Sequence, residues 1–292
     1  MTLLDVRHLS KTYDRRPGPF AAAHPVHAVR DVSFTIARGE TLGLVGESGS
    51  GKSTTGRCVL RLEAPSSGEV TFLGESVLSA AGDRLRALRR QMQIVFQDPY
   101  DSLNPRMRVR NIVLEPLEIH RIGTPSERQD RVASLLSLVG LDPAHADRWP
   151  RDFSGGQRQR IAIARALALE PAFIVADEPV SSLDVSVQAQ VLNLLMDLQD
   201  RLGVAYLLIA HDLRMVERVC HRVAVMYGGR IVELASTASL FSAPAHPYTQ
   251  SLLSAMPMIH PEMRNARTMY RPERADPDAP LRAIADGHWA AI

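Results

Sequence analysis

The chain has 292 residues, 45% of them hydrophobic and 23% charged, with a formal net charge of +2. This composition is that of an ordinary globular protein, and the length allows one large domain or two smaller ones. The near-neutral charge does not indicate a basic surface for binding nucleic acid or a membrane. No apolar run approaches the roughly 18 residues that cross a bilayer, no secretion signal opens the sequence, and Cys58 and Cys220 lack metal or redox spacing, so we expect a soluble cytoplasmic protein with free thiols.

The N-terminal part of the chain predicts strands around one helix. Apolar and polar residues alternate over residues 3–9 and 28–36, as in half-buried strands, and residues 15–27 between them are typical of a loop. Residues 41–45 are an apolar run typical of a buried parallel strand, and residues 53–62 are predicted to form the helix that follows. Two more short strands are predicted, over residues 68–73 and 93–96.

The middle of the chain predicts a helical subdomain inserted into an α/β core. Residues 106–121 and 126–138 show helical spacing and are punctuated by prolines. The core then resumes with buried strands at residues 173–176 and 206–210. Between them an amphipathic helix, residues 185–202, ends at Gly203.

The C-terminal part predicts a hairpin, a helix and a tail. Gly228-Gly229 is a two-residue hairpin signature between strands at residues 222–227 and 230–234. After Pro244 the chain is rich in Pro and Ala, and a helix is predicted around residues 248–256. Beyond Pro261 the composition predicts an extended or poorly ordered tail.

Residues 46–53 match the phosphate-binding loop pattern G-x-x-x-x-G-K-[ST], between a predicted strand and a predicted helix. Its glycines let backbone N–H groups turn toward phosphate oxygens, Lys52 reaches the β- and γ-phosphates, and the Ser53 hydroxyl ligates Mg²⁺. An ordinary flexible Gly/Ser loop is the alternative. Lys52 weighs against it, because all but two of the 34 basic residues are Arg, and a compact ammonium suits this position better than a planar guanidinium.

Two further segments carry groups that suit phosphate chemistry. Asp177 and Glu178 follow a buried strand, where the first can hold Mg²⁺ through water and the second can polarise the attacking water; a solvated acidic turn is the alternative. Ser154 and Gln157 form a capping box, which alone explains a helix start. The two glycines between them favour a helix N-terminus that a phosphate approaches.

Three single residues are candidates for the same site only because of their position relative to these segments. Gln97 follows a strand, and His211 follows a buried strand but on its own would more often be structural. Asp184 has a competing role as the N-cap of the helix at residues 185–202.

In order and spacing these segments resemble the ATP-binding subunit of ATP-binding-cassette (ABC) transporters, over most of residues 3–240. The resemblance implies a P-loop NTPase (RecA-like) α/β core with an antiparallel β subdomain, an inserted α-helical subdomain and a short C-terminal extension. The implied boundaries are 1–97 for the first part of the core, 98–157 for the helical subdomain, 158–240 for the second part of the core and 241–292 for the extension.

The resemblance also implies roles for individual residues. The implied catalytic residues are Glu178, His211, Gln97 and Lys52. The implied Mg²⁺ ligands are Ser53, Gln97 and Asp177. The implied ATP-binding residues are Tyr13, Gly46, Glu47, Ser48, Gly49, Ser50, Gly51, Lys52, Ser53, Thr54, Ser154, Gly155, Gly156, Gln157 and Asp184. Tyr13 matches the aromatic that stacks on adenine but also fits a strand aromatic, and the signature segment begins with Phe153 where Leu is more usual.

Residues 96–105 and 240–257 resemble the oligopeptide/dipeptide importer branch of the family, which also includes importers of nickel and glutathione. Some of its members carry a C-terminal iron–sulfur cluster, but no Cys follows Cys220 here, so no cluster is expected. The resemblance implies a second ATPase subunit, identical or different, that sandwiches two ATP molecules head to tail. It also implies two transmembrane permease subunits, a periplasmic or extracellular solute-binding protein, no nucleic acid, and a peripheral place on the cytoplasmic face of the inner membrane.

A soluble ABC-type ATPase that acts on DNA or ribosomes is the main rival. Such proteins tend to carry two cassettes, a long coiled-coil insertion or a strongly basic surface, and this sequence predicts one cassette, a compact insertion and near-neutral charge. A P-loop kinase is a weaker rival, because it needs neither the segment at residues 154–157 nor His211.

Overall fold

The computed structural model describes residues 1–15, 24–98, 102–255 and 279–292. These residues belong to two compact units, one of Met1–Ser79 with Leu207–Ile292 and one of Ala80–Tyr206. The first is called the loop unit below, because it contains residues 46–53, and the second the helical unit. This division is coarser than the predicted boundaries at residues 97, 157 and 240, which stay a prediction. In the described parts of the chain, no helix is both long enough and apolar enough to cross a membrane.

The loop unit contains the antiparallel sheet and most strands of the second sheet. Its strands are β1 (Thr2–Arg15), β2 (His24–Ala37), β3 (Thr41–Val45), β4 (Ser67–Phe72), β5 (Glu75–Ser76), β8 (Ala205–Ala210, which begins in the helical unit), β9 (Arg222–Tyr227), β10 (Arg230–Ser236), β11 (Arg282–Ala285) and β12 (His288–Ala290). Its helices are α1 (Lys52–Val59), α7 (Leu213–Val219), α8 (Thr237–Ser242) and α9 (Pro247–Ser254).

An antiparallel sheet in the order β2-β1-β4-β5 confirms the predicted antiparallel subdomain. Its strands β1 and β2 are longer than predicted, because their ladder continues through Thr12↔His27 and Tyr13↔Val26 to Arg15↔His24. The loop prediction for residues 15–27 was therefore wrong at both ends. Strand pairing supplies backbone hydrogen bonds that override the Pro, Ala and Gly composition. Residues 16–23 of that predicted loop lie outside the described residues.

The second sheet of the loop unit runs in the order β11-β12-β10-β9-β3-β8. β3 has all five residues buried, as predicted for a strand covered on both faces, and it pairs in parallel with β9. β9 and β10 form the predicted hairpin around Gly228-Gly229, closed by the pair Arg230↔Tyr227. The short connection fixes the register of β10 against β9.

The end of the chain differs from its prediction. The predicted helix near residues 248–256 is present as α9. The tail was predicted to be extended or poorly ordered, but its described part, residues 279–292, contains paired strands. There β11 and β12 form a hairpin whose second strand pairs with β10 through Glu233↔Ala290 and Leu234↔Trp289. β12 buries His288 and Ala290 on one face, a pattern too short for composition to detect. Residues 256–278 lie outside the described residues.

A buried carboxylate holds this C-terminal region together. The Glu233 side chain is fully buried and accepts hydrogen bonds from the backbone N–H groups of Ala245 (2.8 Å) and His246 (3.0 Å). It also pairs with Nε2 of His288 at 2.8 Å. A buried charge is stable only when its acceptor sites are used in this way. Glu233 thereby fixes the start of α9 and the C-terminal hairpin to β10.

The helical unit contains two parallel strands and five α-helices among its described residues. The strands are β6 (Met92–Val95) and β7 (Phe173–Asp177). The helices are α2 (Gly82–Gln91), α3 (Val109–Ile119), α4 (Pro125–Leu138), α5 (Gly155–Leu167) and α6 (Val185–Leu202). α6 has its predicted bounds, and α3 and α4 lie within or next to the predicted helical segments. α4 begins with a full capping box from Thr124 and Glu127, which gives a local reason for its start.

His246 makes the stability of the loop unit depend on pH. Its Nδ1 accepts the N–H of Tyr248 at 3.1 Å, and burial lowers the pKa of its ring against the opposing effect of Glu233. The unfolded chain therefore takes up the proton at about pH 6.5, before the folded chain does. The folded state loses stability as the pH falls below that value toward the lower folded pKa.

We expect His246→Asn to flatten this dependence, because an Asn oxygen still accepts the Tyr248 N–H but does not titrate. Thermal unfolding at pH 7.5 and pH 5.5 measures the effect, with the wild-type chain as the control. The fall in Tm between the two pH values should be smaller in the variant. An equal or larger fall would assign the pH dependence to other groups.

Candidate functional site

The loop at residues 46–51 joins β3 to α1 and packs closely against neighbouring backbone. A Cβ on Gly46 would collide with the carbonyl oxygen of Met226, and one on Gly51 with that of Ala28. Both glycines also have positive φ angles, 147° and 101°, which L-residues with side chains rarely adopt. The glycine spacing is therefore required by packing inside the loop unit as well as by any ligand. The sequence pattern alone does not reveal these backbone contacts of Gly46 and Gly51.

Lys52 lies at the first position of α1 with its ammonium turned onto the loop. Its Nζ donates to the carbonyl oxygens of Gly46 (2.8 Å) and Glu47 (2.7 Å) and lies 3.4 Å from Oγ of Ser50. The side chain is only 5% exposed. These three acceptors are neutral, and anionic oxygens such as those of a phosphate would bind an ammonium more strongly than they do.

A residue that the sequence did not single out also touches the loop. The backbone N–H of Glu47 donates to the hydroxyl of Tyr248, in α9, at 3.0 Å. Tyr248 is 1% exposed, and its ring packs against that of Tyr227 with centroids 4.5 Å apart. Glu47 and Tyr248 are 201 positions apart, so only the fold brings them together.

Tyr13 lies on β1 and has polar partners at its hydroxyl. Burial raises its pKa to about 12, and a hydrogen bond to Glu63 acts in the same direction against one to Thr54. The Lys11 ammonium lies 4.8 Å from the ring centroid, within cation–π range. The predicted adenine contact and the strand role are both compatible with this position.

Gln97 and Glu178, predicted as separate site residues, are in direct contact. The Gln97 side-chain N–H donates to Oε2 of Glu178 at 3.0 Å. Glu178 follows Asp177, which ends β7 and is 4% exposed. The Glu178 backbone has a φ of 47°, a conformation that costs a non-glycine residue about 1–2 kcal/mol. Such strain is concentrated at functional sites, where the surroundings hold the residue in place.

The predicted Mg²⁺ ligands are chemically suited to that ion. Ser53, Gln97 and Asp177 all offer oxygen atoms, the donors that Mg²⁺ prefers. In the described residues no group of three or more His, Cys, Asp or Glu side chains could hold a metal on its own. The oxygen chemistry of each predicted ligand is therefore compatible with Mg²⁺.

The segment at residues 154–157 forms the predicted capping box at the start of α5. Oγ of Ser154 accepts the Gln157 N–H at 3.3 Å, and Oε1 of Gln157 accepts the Ser154 N–H at 2.9 Å. The glycines between them have a packing role that the sequence did not reveal. A Cβ on Gly156 would collide with Cγ1 of Val187, and one on Gly155 would lie 3.1 Å from Cδ2 of Leu183. The start of α5 therefore packs directly on the start of α6.

Two roles are predicted for Asp184, and the structure bears on the N-cap role. It occupies the N-cap position of α6, and its carbonyl oxygen accepts the N–H groups of Val187 and Gln188, both at 2.9 Å. The predicted N-cap position of Asp184 is therefore confirmed, although its side chain makes no capping hydrogen bond. His211, in the loop unit, is exposed immediately after β8. The neighbouring Asp212, rather than His211, caps α7 through the Arg214 N–H at 2.9 Å.

Comparison with known proteins identifies the family. The family model described as "ABC transporter" matches residues 29–181, and the one described as "Oligopeptide/dipeptide transporter, C-terminal region" matches residues 232–281. This chain belongs to the ABC transporter family. The predicted resemblance and fold class are confirmed.

Two named relatives are similar over nearly the whole chain. The glutathione import ATP-binding protein GsiA of Salmonella typhimurium is 48% identical over 300 residues, covering 99% of this chain and 48% of the relative. The putative peptide import ATP-binding protein BOV_A0347 of Brucella ovis is 52% identical over 278 residues, covering 95% of this chain and 86% of the relative. The chain thus spans about half the length of the Salmonella relative.

Two solved structures share the fold of this ABC protein. A dimer of the ATP-binding cassette MJ0796 bound to ADP and Pi has a TM-score of 0.70 and 29% identity, covering 80% of this chain and 99% of that one. The cbiO1 protein of Clostridium perfringens, part of the cbiONQ transporter complex, has a TM-score of 0.71 and 29% identity, with 83% and 91% covered.

The contact between Gly156 and Val187 can be tested by a double-mutant cycle. We expect Gly156→Ala to lower the free energy of unfolding by about 1–3 kcal/mol, because the new methyl group overpacks the junction. Val187→Ala in the same chain should recover most of this loss, since it removes the colliding Cγ1 atom. Urea unfolding of both single variants and the double variant gives the coupling free energy.

Gly155→Ala is the matched control, because its methyl group would meet only the flexible end of Leu183. It should cost less than Gly156→Ala. A double variant no more stable than Gly156→Ala would contradict the predicted collision.

Proposed function

We propose that this ABC protein is the ATP-hydrolysing subunit that powers import of peptides through a membrane permease. The observation that carries peptide import is the match of residues 232–281 to the C-terminal region of oligopeptide/dipeptide transporters. The name of the Brucella relative, a putative peptide import protein, supports it. The name of the Salmonella relative favours glutathione, itself a small peptide, as a second candidate solute.

The side chains of the loop unit are assigned to the phosphates. Lys52 would exchange the carbonyl oxygens of Gly46 and Glu47 for β- and γ-phosphate oxygens, and the loop N–H groups would surround them. Ser53, Asp177 and Gln97 would hold Mg²⁺, which would neutralise phosphate charge when bound. Tyr13 would stack on adenine, with Thr54 next to its hydroxyl. His211 would help to align the attacking water.

Glu178 is assigned the water-polarising role. Its carboxylate would accept a hydrogen bond from the water that attacks the γ-phosphorus, which increases the nucleophilicity of that water. The 3.0 Å contact with Gln97 supports a coupling between the two residues, because a γ-phosphate that draws Gln97 away would change the hydrogen bonding of Glu178. Gln97 would in this way report nucleotide binding to the predicted helical subdomain.

The proposed assembly is a dimer of cassettes on a membrane permease. The MJ0796 cassette with ADP and Pi is dimeric, which supports a dimer here. In the proposed head-to-tail arrangement, Ser154 to Gln157 and Asp184 of one cassette would complete the site of the other. The partner is a second copy or a different ATPase chain. The proposed complex also contains two transmembrane subunits and a solute-binding protein. This chain would lie peripherally at the cytoplasmic face of the membrane.

Glu178→Gln tests the catalytic assignment. We expect kcat for ATP hydrolysis to fall at least about 100-fold, the usual contribution of a general base, with little change in the Kd for ATP because the amide keeps the size and the hydrogen bond to Gln97. Phosphate release and calorimetric titration measure the two quantities. The same change at Glu118, an exposed residue of α3, is the control. Near-normal turnover in Glu178→Gln would refute the assignment.

Affinity purification from the native host tests the assembly. With a tagged chain and mild detergent, we expect two polytopic membrane proteins and a second ATPase chain to co-purify. A co-purified solute-binding protein then allows peptides, glutathione and nickel to be compared in binding assays. Recovery with only soluble partners or with nucleic acid would favour the free-standing ATPase over the transporter subunit.

A further inference from the structure

The phosphate-binding loop has a hydrogen-bond partner far away in the sequence. The Glu47 N–H donates to the Tyr248 hydroxyl at 3.0 Å, and the Glu47 carbonyl oxygen accepts from Nζ of Lys52 at 2.7 Å. The backbone of this one residue is thus tied on both sides, to α9 and to the lysine that is assigned to the phosphates. Any shift of Glu47 would therefore move an acceptor of Lys52.

Tyr248 has contacts at both its ring and its backbone that can position its hydroxyl. Its ring packs against Tyr227, and its backbone N–H donates to Nδ1 of His246 at 3.1 Å. The His246 N–H in turn donates to the buried carboxylate of Glu233, on β10, at 3.0 Å. The hydroxyl of Tyr248 is therefore connected by fixed contacts to the central sheet of the loop unit.

The loop itself needs contacts that hold its backbone in place. Glycines at positions 46, 49 and 51 do not restrict the backbone themselves, so contacts with neighbouring residues must hold the loop in one conformation, and any loop motion that remains is lost at a cost in free energy when phosphates bind. A fixed hydrogen bond at Glu47 lowers that cost, because the N–H groups are already arranged before the ligand arrives. The hydrogen bond between Glu47 and Tyr248 would therefore affect nucleotide affinity through the shape of the loop, without a contact between Tyr248 and the nucleotide.

We propose that Tyr248 is a positioning residue for ATP binding, through which the C-terminal segment shapes the phosphate-binding loop. The inference rests on the proposed ATPase function. It gives residues 233–248, which lie in the oligopeptide/dipeptide C-terminal match, a direct connection to the nucleotide site. Glu233 acts one step further away, by fixing the position of α9.

Tyr248→Phe removes the hydroxyl and keeps the ring. We expect the Kd for MgADP, measured by titration calorimetry, and the KM for ATP to rise about three- to tenfold, the effect of losing one hydrogen bond. The kcat at saturating ATP should change less than about twofold, because loop ordering is recovered once the nucleotide is bound. A merely structural role would not produce this split between KM and kcat.

Tyr206→Phe is the matched control. Tyr206 is also buried, at 3% exposure, and its hydroxyl has no hydrogen-bond partner among the described residues. Tyr206→Phe therefore removes the same hydroxyl group without removing a hydrogen bond. The nucleotide affinity of this variant should equal that of the wild-type chain. Thermal unfolding of each variant without nucleotide shows that it is folded.

Glu233→Gln tests the connection to β10. An amide presents one acceptor oxygen and a donor group where the carboxylate accepts three hydrogen bonds, so α9 should be held less firmly. We expect weaker MgADP binding in this variant and no further weakening when Tyr248→Phe is added, because both changes act along one path. Additive losses of affinity would overturn the role given to Glu233.

The outcomes separate this inference from the proposed function. If the wild-type chain binds no nucleotide, the ATPase proposal fails. If the wild-type chain binds MgADP and Tyr248→Phe binds it equally well, or no more weakly than Tyr206→Phe, the positioning role of Tyr248 is overturned and the ATPase proposal stands.

Discussion

The close approach of the phosphate-binding loop to the β9–β10 hairpin is the constraint on which the loop unit depends. The Gly229 N–H donates to the Ser50 carbonyl oxygen at 3.2 Å, and the Arg30 N–H donates to the Gly229 carbonyl oxygen at 2.7 Å. Gly46 faces the Met226 carbonyl oxygen with no space for a side chain. The loop, the hairpin turn and β2 are therefore one hydrogen-bonded layer, and α9 joins the loop through the hydrogen bond from the Glu47 N–H to the Tyr248 hydroxyl.

Glycines also allow a close backbone approach in the helical unit. There the paired glycines at the start of α5 allow α6 to pack against them through Leu183 and Val187. The segment assigned to contact the γ-phosphate of a partner cassette is thus shaped first by its own neighbour. Gln97 and Glu178 likewise satisfy each other while the Glu178 backbone stays strained. Residues assigned to nucleotide chemistry have local structural partners in both units.

The sequence predicted those features whose signal is local. β3 and α6 have their predicted bounds, because a buried apolar run and a capped amphipathic stripe are readable within a few residues. The capping box at Ser154 and the hairpin at Gly228-Gly229 are local for the same reason. The long β1–β2 ladder, the β11–β12 hairpin and the contacts of Gly156 and Tyr248 were missed, since each depends on a partner distant in sequence. Composition describes a segment but not what the fold places beside it.

The buried contacts of Glu233 with Ala245, His246 and His288 have a consequence for the order of folding. The residues in contact are separated by up to 55 residues, and the Tyr248–Glu47 bond spans 201 positions. Contacts of such sequence separation form late, because the entropy of closing large loops of chain must be overcome first. The local elements of the loop unit, α1 and the β9–β10 hairpin, can form early. If Tyr248 has the proposed positioning role, the phosphate-binding loop would reach its final shape only after the C-terminal residues have joined the sheet, and nucleotide affinity would then be acquired late in folding.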